Sequence, residues 1–295
     1  MGCAWPTNTC ITIGFARIRL VLKKDAALDL ILCYIVAFKA RVTASRRGIR
    51  NLSNVLFNKL SRFTDLSEAD RAAVDSLCAH QITVDAKHEL IQEGERPNDV
   101  HLLLEGWGYR YKLLPNGARH ILAYLIPGDL CDIHIYILKA MDHNLGLLTP
   151  ARVAVIPQEK MLKVMDEHPK IERALWWATL VDEAVLREWL VNIGHRDAQT
   201  RIAHLFCELW LRMRAIGLAS DGKFSLPITQ EELGDTMGLS PVHVNRSLQA
   251  MRRRGLISWA KQELTIHDPP ALMAEAEFTP NYLHLDRRKE PVRAL

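Results

Sequence analysis

Between Ser240 and Gln262 the chain carries five arginine or lysine residues and no acidic one. Within that stretch Val242, Arg246, Gln249 and Arg253 recur three or four residues apart, with His243 and Asn245 beside them. Residues at this spacing share one face of a helix. The face presents guanidinium forks, amides, an imidazole and one apolar tip. That set suits phosphate neutralisation and hydrogen bonding to base edges.

Two elements must hold such a row in place. Val244, Leu248 and Met251 supply the opposite, apolar side of the helix. Ser240 is a favoured N-cap, because its hydroxyl accepts from an otherwise orphan backbone N–H. Pro241 then becomes the first helical residue, where its missing N–H costs nothing. Just upstream, in ITQEELGDTMG, Thr229 and Glu232 form a T-x-x-E capping box. Leu233 and Met237 give that shorter helix its inner face, and Gly238 suits a tight turn. Two short helices joined this way predict a helix-turn-helix, whose second helix enters the major groove of double-stranded DNA. LISW and LTIH around the polar AKQE predict a two-stranded β-wing. The plainer alternative is a helical hairpin with a solvated basic face.

The totals set limits. A chain of 295 residues, 48% hydrophobic and 24% charged, is long enough for about two soluble globular domains. Net charge is +4, but residues 1–50 hold nine Lys or Arg against two Asp, a balance of +7, so the remainder sums to −3. The body is therefore not a generally basic coating protein; its positive charge is local. Cys3, Cys10, Cys33, Cys78, Cys131 and Cys207 show no C-x-x-C and no Cys/His ligand spacing. Free thiols in a reducing cytoplasm are expected, with no bound metal or cofactor. A four-cysteine cluster would require Cys3, Cys10 and Cys33 to fold towards a distant fourth ligand.

Residues 1–50 read as a basic N-terminal extension. Its segment AALDLILCYIVAF (26–38) is apolar apart from Asp29, yet short for a membrane span. It starts late for a signal peptide and lacks a small-residue cleavage site. A mobile arm, a membrane-surface helix and an over-extended gene start are the readings of this segment; no membrane partner is expected.

From residue 51, short helices are expected, with a break at Asp65, Leu66 and Ser67, Ser67 as a cap and Ala73, Val74 and Leu77 as an apolar side. The period then changes. Runs at 89–92, 100–104, 107–113 and 118–125 are strand-like, and in WGYRYKL the residues Trp107, Tyr109, Tyr111 and Leu113 alternate with Arg110 and Lys112 outside. Pro115, Asn116 and Gly117 mark a hairpin. Glycines at 94, 106, 117 and 128 punctuate the strands at the cadence of a small antiparallel roll. Asp132, His134 and Tyr136 are expected on one face of a further strand, and ARVAVIP closes the series.

After Pro157 the pattern turns helical: QEKMLKVMDEH is a short helix, and a long one runs from Pro169 to Gly194. Leu175, Ala178, Val185 and Trp189 form a stripe that Trp177, Val181 and Leu186 widen. A helix apolar on more than one side needs two partners, its own domain and another chain. It reads as a dimerisation helix, with an intramolecular core helix as the alternative; Asp182 on the seam argues against a simple coiled coil. TRIAHLFCELWLRMRAIG opens the DNA-binding domain, while DPPALMAEAEF and RRKEPVR beyond His267 read as weakly structured.

The expected fold class is α+β: an N-terminal antiparallel β-roll (jelly-roll-like) sensor, a long dimerisation helix and a C-terminal winged helix-turn-helix. The expected divisions are the extension 1–50, the β-roll 51–157, the linker and dimerisation helix 158–195, the DNA-binding domain 196–268 and a flexible tail 269–295.

This order of parts, over residues 51–268, resembles the Crp–Fnr superfamily of bacterial transcription regulators. ITQEELGDTMGLSPVHVNRSLQAMRRRGLI is similar to the family's helix-turn-helix almost position for position, and LIQEGERPNDVHLLLEG and PGDL resemble its β-roll turns. The resemblance implies that Arg246 reads guanine and that Ser240 meets phosphate. The family's frequent acidic partner of cytosine is replaced by Val242, which can pack on a thymine methyl instead. His243 and Asn245 are placed to reach phosphate or a base edge.

The sensor departs from the family pattern. Members that bind cyclic nucleotides carry a Gly-Glu followed by Arg-Ser or Arg-Thr. Here no glutamate follows Gly128 at the expected place, and no arginine occurs between Arg119 and Arg152. A buried phosphate would lack its counter-charge, so cyclic AMP is not the expected ligand. Asp132, His134 and Tyr136 are the candidate effector-pocket residues, as ligands or as polar wall; a small unknown effector and effector-independent control both stay open. A competing class is a cupin-like metal-dependent enzyme, or a metal or redox sensor barrel, fused to a DNA-binding domain. It would need clustered histidines, whereas His101, His120, His134 and His143 are isolated, and no G-x-S-x-G, P-loop or H-E-x-x-H occurs. The expectation is a non-enzymatic, cytoplasmic, homodimeric transcription regulator on a pseudo-palindromic operator, with RNA polymerase as a further partner.

Overall fold

A computed structural model describes residues 10–13, 16–19, 53–133, 135–138 and 140–285. Two compact units divide after Asn51. In the first, β1 (Cys10–Ile13) and β2 (Ala16–Arg19) form an antiparallel hairpin. The apolar run 26–38, Cys3, Cys33, His134 and the RRKEPVR segment lie outside the described residues.

The second unit opens with α1 (Ser53–Leu60) and α2 (Glu68–Leu77). Ser67 caps α2 reciprocally: its hydroxyl accepts from Asp70 N at 3.2 Å, and the Asp70 carboxylate accepts from Ser67 N at 2.8 Å. Seven strands follow: β3 (Gln81–Val84), β4 (Glu89–Ile91), β5 (Asp99–Glu105), β6 (Gly108–Leu113), β7 (Arg119–Leu125), β8 (Asn144–Leu147) and β9 (Ala151–Pro157). They make two antiparallel sheets, ordered β3-β9-β5 and β4-β8-β6-β7, as a jelly-roll-like β-roll requires. Gly94, Gly106, Gly117 and Gly128 all have positive φ, the backbone state that punctuates the turns. Gly146 on β8 serves close approach instead: an added Cβ would lie 2.8 Å from the Tyr109 ring.

Two expectations for the roll are corrected. Arg110 does not point outside; it is half-buried, and its guanidinium donates to Leu130 O at 3.0 Å and Cys131 O at 3.2 Å. Its Nη1 also lies 3.5 Å from Asp182 Oδ2, which draws Asp182 towards the roll. Nor do Asp132 and Tyr136 share a strand. The chain turns there into the single helical turn α3 (Ile135–Leu138), and Asp132 is engaged within the fold. Fully buried, Asp132 accepts from His101 N at 2.7 Å through Oδ1 and lies 2.7 Å from His101 Nδ1 through Oδ2.

Helix α4 (Gln158–Glu167) leads into α5 (Pro169–His195), with Pro169 in its first turn. The helix continues through Gly194, one residue past its expected end. Its inner side buries Ile171, Ala174, Leu175, Ala184, Val185 and Trp189. Then α6 (Ala198–Ala215), capped by Asp197, enters the C-terminal core. Strands β10 (Ala219–Ser220) and β11 (Lys223–Ser225) precede α7 (Gln230–Met237) and α8 (Pro241–Arg253). Strands β12 (Ile257–Ala260) and β13 (Glu263–Ile266) complete a sheet ordered β10-β11-β13-β12. The wing is therefore the outer hairpin of a four-stranded sheet.

The flexible tail is a further correction for residues 269–285. Asp268 caps α9 (Pro269–Glu275), accepting from Ala271 N at 3.0 Å, and Leu272, Ala276, Phe278, Tyr282 and Leu283 are buried. The two prolines that suggest a broken chain occupy the first helical turn, where proline is tolerated. Phe278 and Tyr282 pack around the buried His204 ring, and Tyr282 OH donates to Glu208 at 3.0 Å. Among the described residues no helix is long and apolar enough to cross a membrane.

Candidate nucleic-acid interface

Local chemistry builds the two helices of the reading head. Thr229 N donates to Glu232 Oε2 at 2.7 Å and Thr229 Oγ1 accepts from Glu232 N at 3.1 Å, the reciprocal box expected from the spacing. Gly238 ends α7 in the left-handed region, φ 62°, open to glycine without strain. Ser240 then caps α8, accepting from His243 N, and its hydroxyl also sits 3.0 Å from His243 Nδ1. Pro241 occupies the first turn. Leu233, Met237, Val244, Leu248 and Met251 interlock as the buried side of the pair. Tight crossing is enforced at Gly234, where a Cβ would lie 2.8 Å from Leu239 O.

On the other side, Ser240, Val242, His243, Asn245, Arg246, Gln249 and Arg253 are all exposed. Val242 is 73% exposed, on a helix that buries its other valine completely. Of the five basic residues in this stretch, two are engaged inside the protein. Arg252 donates to Trp259 O at 3.2 Å, tying α8 to the wing, and Arg254 pairs with Glu275 at 2.8 Å. Among the described residues Arg246, Arg253 and Lys261 form no ion pair, and Lys261 stands at the wing tip with φ 50°.

Several contributors escaped the sequence reading. Gln230, at the start of α7, accepts from Asn245 Nδ2 at 3.4 Å and joins the exposed row. The T-x-x-E box marks the first turn of α7, but not which of its side chains meets α8. More consequential is how the head is mounted. Arg119 on β7 contacts Asp235 Oδ2 through Nε at 2.9 Å and Nη2 at 2.8 Å. Tyr124 OH lies 2.6 Å from Thr236 Oγ1 in a fully buried contact. Arg212 on α6 donates to Tyr124 O at 2.9 Å and pairs with Asp129 at 3.0 Å. Burial alone would push the Asp129 carboxyl up, but Lys59 and Arg212 beside it hold it below the usual carboxylate range. One apolar core accordingly runs from Tyr109 and Tyr124 through Val185 and Trp189 to the helix-turn-helix.

The thiols offer little chemistry. Cys78, Cys131 and Cys207 are buried free thiols. Desolvation pushes Cys78 up to about 11 and Cys207 up to about 12, and raises Cys131 as well. Such thiols are poor nucleophiles and poor redox sensors. Among the described residues no group of three or more His, Cys, Asp or Glu is placed to hold a metal ion.

A model of the cyclic nucleotide-binding domain matches residues 81–168, and a model of the Crp-like helix-turn-helix domain matches residues 200–275. The chain belongs to the Crp–Fnr superfamily. It is a DNA-binding transcription regulator of the Crp–Fnr type. The nitrogen fixation regulation protein FixK of Bradyrhizobium diazoefficiens is 27% identical over 192 residues, 63% of this chain and 78% of that one. The transcriptional activatory protein AadR of Rhodopseudomonas palustris is 25% identical over 231 residues, covering 77% of this chain and 93% of its own. The solved structure of FixK2 from Bradyrhizobium japonicum matches with a TM-score of 0.60 and 22% identity, over 66% of this chain and 95% of that one. That likeness confirms the Crp–Fnr fold: β-roll, long helix and helix-turn-helix.

Proposed function

We propose that this Crp–Fnr regulator acts in the cytoplasm as a homodimer that reads a pseudo-palindromic operator with the exposed face of α8. The observation that carries the reading is the row Ser240, Val242, His243, Asn245, Arg246, Gln249 and Arg253, exposed together opposite the buried Val244, Ser247, Leu248 and Met251. Arg246 forks onto guanine O6 and N7, Val242 packs on a thymine methyl, and Ser240 and Arg253 meet phosphate. In a two-fold dimer the two α8 helices enter successive major grooves about 34 Å apart. RNA polymerase is the further partner, in line with AadR being named an activatory protein.

The regulator works without cyclic AMP. The expected cassette arginine is missing, and Arg110, on a neighbouring strand, spends its hydrogen bonds on Leu130 O and Cys131 O.

The test is selection and sequencing of random duplex DNA on the purified full chain at near-physiological salt, without an added effector. Enrichment of a two-fold motif with half-sites about one helical turn apart supports the reading. A single unpaired half-site, or a C·G requirement at the base met by Val242, overturns the corresponding part of it.

A further inference from the structure

The outer side of α5 carries a second pattern. Trp176, Leu180, Glu183, Arg187 and Leu190 follow one another at intervals of four and three, the spacing of a two-helix seam. All are exposed: Trp176 by 50%, Leu180 by 54% and Leu190 by 74%, with Val191 beside them at 45%. In the middle of this apolar strip Glu183 and Arg187 pair at 3.0 Å, both side chains more than half exposed. An exposed pair one helical turn apart adds little to the stability of its own helix. Its place matters more: it divides the seam into two apolar ends and one charged centre.

We propose that Glu183 and Arg187 form a partner-selecting layer, through which a second copy of this chain is accepted along α5 and unlike chains are refused. The inference rests on the homodimer reading and adds what chooses the partner. Where two copies run in parallel along the strip, each carboxylate meets the other copy's guanidinium diagonally, one helical turn along, and the two charged positions together are neutral. The strip is complementary to itself in charge as well as in apolar character. A chain with like charges at the two places would bring uncompensated repulsion into a desolvated seam, the usual physical route to refusing a wrong partner. A polar layer inside an apolar helix interface weakens the interface while setting its specificity.

The experiment uses sedimentation equilibrium of the full chain. Wild type, Glu183→Arg and Arg187→Glu are measured singly, and the two variants are then measured as an equimolar mixture, with circular dichroism melts confirming that each stays folded. Wild type is expected to dimerise, each variant alone to dimerise at least about tenfold more weakly, since like charges juxtaposed at an interface are strongly disfavoured. The mixture is expected to recover dimers containing one copy of each. The double swap E183R/R187E should dimerise alone as wild type does, which covers the case in which a single variant folds poorly. If wild type is dimeric and both single variants dimerise equally well, the selecting layer is wrong and the homodimer stands. If wild type stays monomeric at every concentration, both fall.

Discussion

Arg119 and Asp235 face each other across the junction between the β-roll and the reading head, with Oδ2 taking both Nε at 2.9 Å and Nη2 at 2.8 Å. Arg119 also donates to Tyr109 OH at 3.2 Å, so one guanidinium joins β6, β7 and α7. The head is thus mounted directly on the β-roll sheet as well as through α5 and α6. Arg119 thereby ties β7 to α7, which the Gly238 turn joins to α8.

Removing this mount should loosen the head before it unfolds the chain. Asp235→Ala is expected to lower stability by about 1 kcal/mol, as for a partly exposed charge-assisted pair. Tyr124→Phe, which leaves a buried hydroxyl without its neighbour, should lower it by about 1–2 kcal/mol. Hydrogen exchange followed by mass spectrometry should show faster exchange in α7 than in β9 for both. Equal acceleration everywhere would mean that the mount is only one part of a single cooperative unit.

Substitutions on α8 separate reading from holding. Arg246→Ala should cost about 1–3 kcal/mol on the selected operator and relax the preference at one base. Arg253→Ala should weaken all sequences alike and reduce the salt slope by about one. Val242→Glu should exchange thymine for cytosine at its step. Band-shift titrations at several salt concentrations distinguish these outcomes.

Gly234→Ala sets two effects against each other. Helix propensity alone favours alanine by about 1 kcal/mol. The new Cβ, however, would lie 2.8 Å from the backbone oxygen of Leu239, which cannot swing aside as a flexible side-chain end can. A net loss of about 1–3 kcal/mol is expected from overpacking, with weaker operator binding. A stabilised variant in a thermal melt would show that the helix-turn-helix crossing has slack.

Stability should fall with acid in a window set by His204. Buried between Phe278 and Tyr282, this imidazole is pushed down to about 3 by desolvation, with the Arg196 charge adding to the effect. Its nitrogens make no hydrogen bond, although Glu188 Oε1 is 3.2 Å from Nε2. Because the unfolded chain takes up the proton near pH 6.5, the folded state binds fewer protons between about 3 and that value. The stability contributed is full above pH 6.5 and is lost as the pH falls through the window. Buried Glu208, raised by desolvation, acts in the opposite direction above its ordinary value. Urea melts from pH 7.5 to 5 should show the loss in wild type and a flatter profile in His204→Phe. An unchanged profile would place the acid sensitivity elsewhere.

The reading head was legible from residues alone because its signals are short-range. A cap speaks to the third residue onwards, apolar positions repeat every three or four, and a glycine ends a helix at a known place, so Thr229, Glu232, Gly238, Ser240 and Pro241 specify their own geometry. The glycine cadence of the β-roll is local in the same sense. What only the tertiary structure decided are contacts between distant segments. Arg119 and Asp235 are 116 residues apart, and nothing in the period of either element says that the other will face it. Asp132 looked like an available pocket carboxylate until the fold set it against His101. The segment 269–285 looked idle because its apolar residues follow no single period. They are buried by a three-dimensional neighbour, the His204 and Glu208 side of α6, that periodicity along one chain segment does not encode.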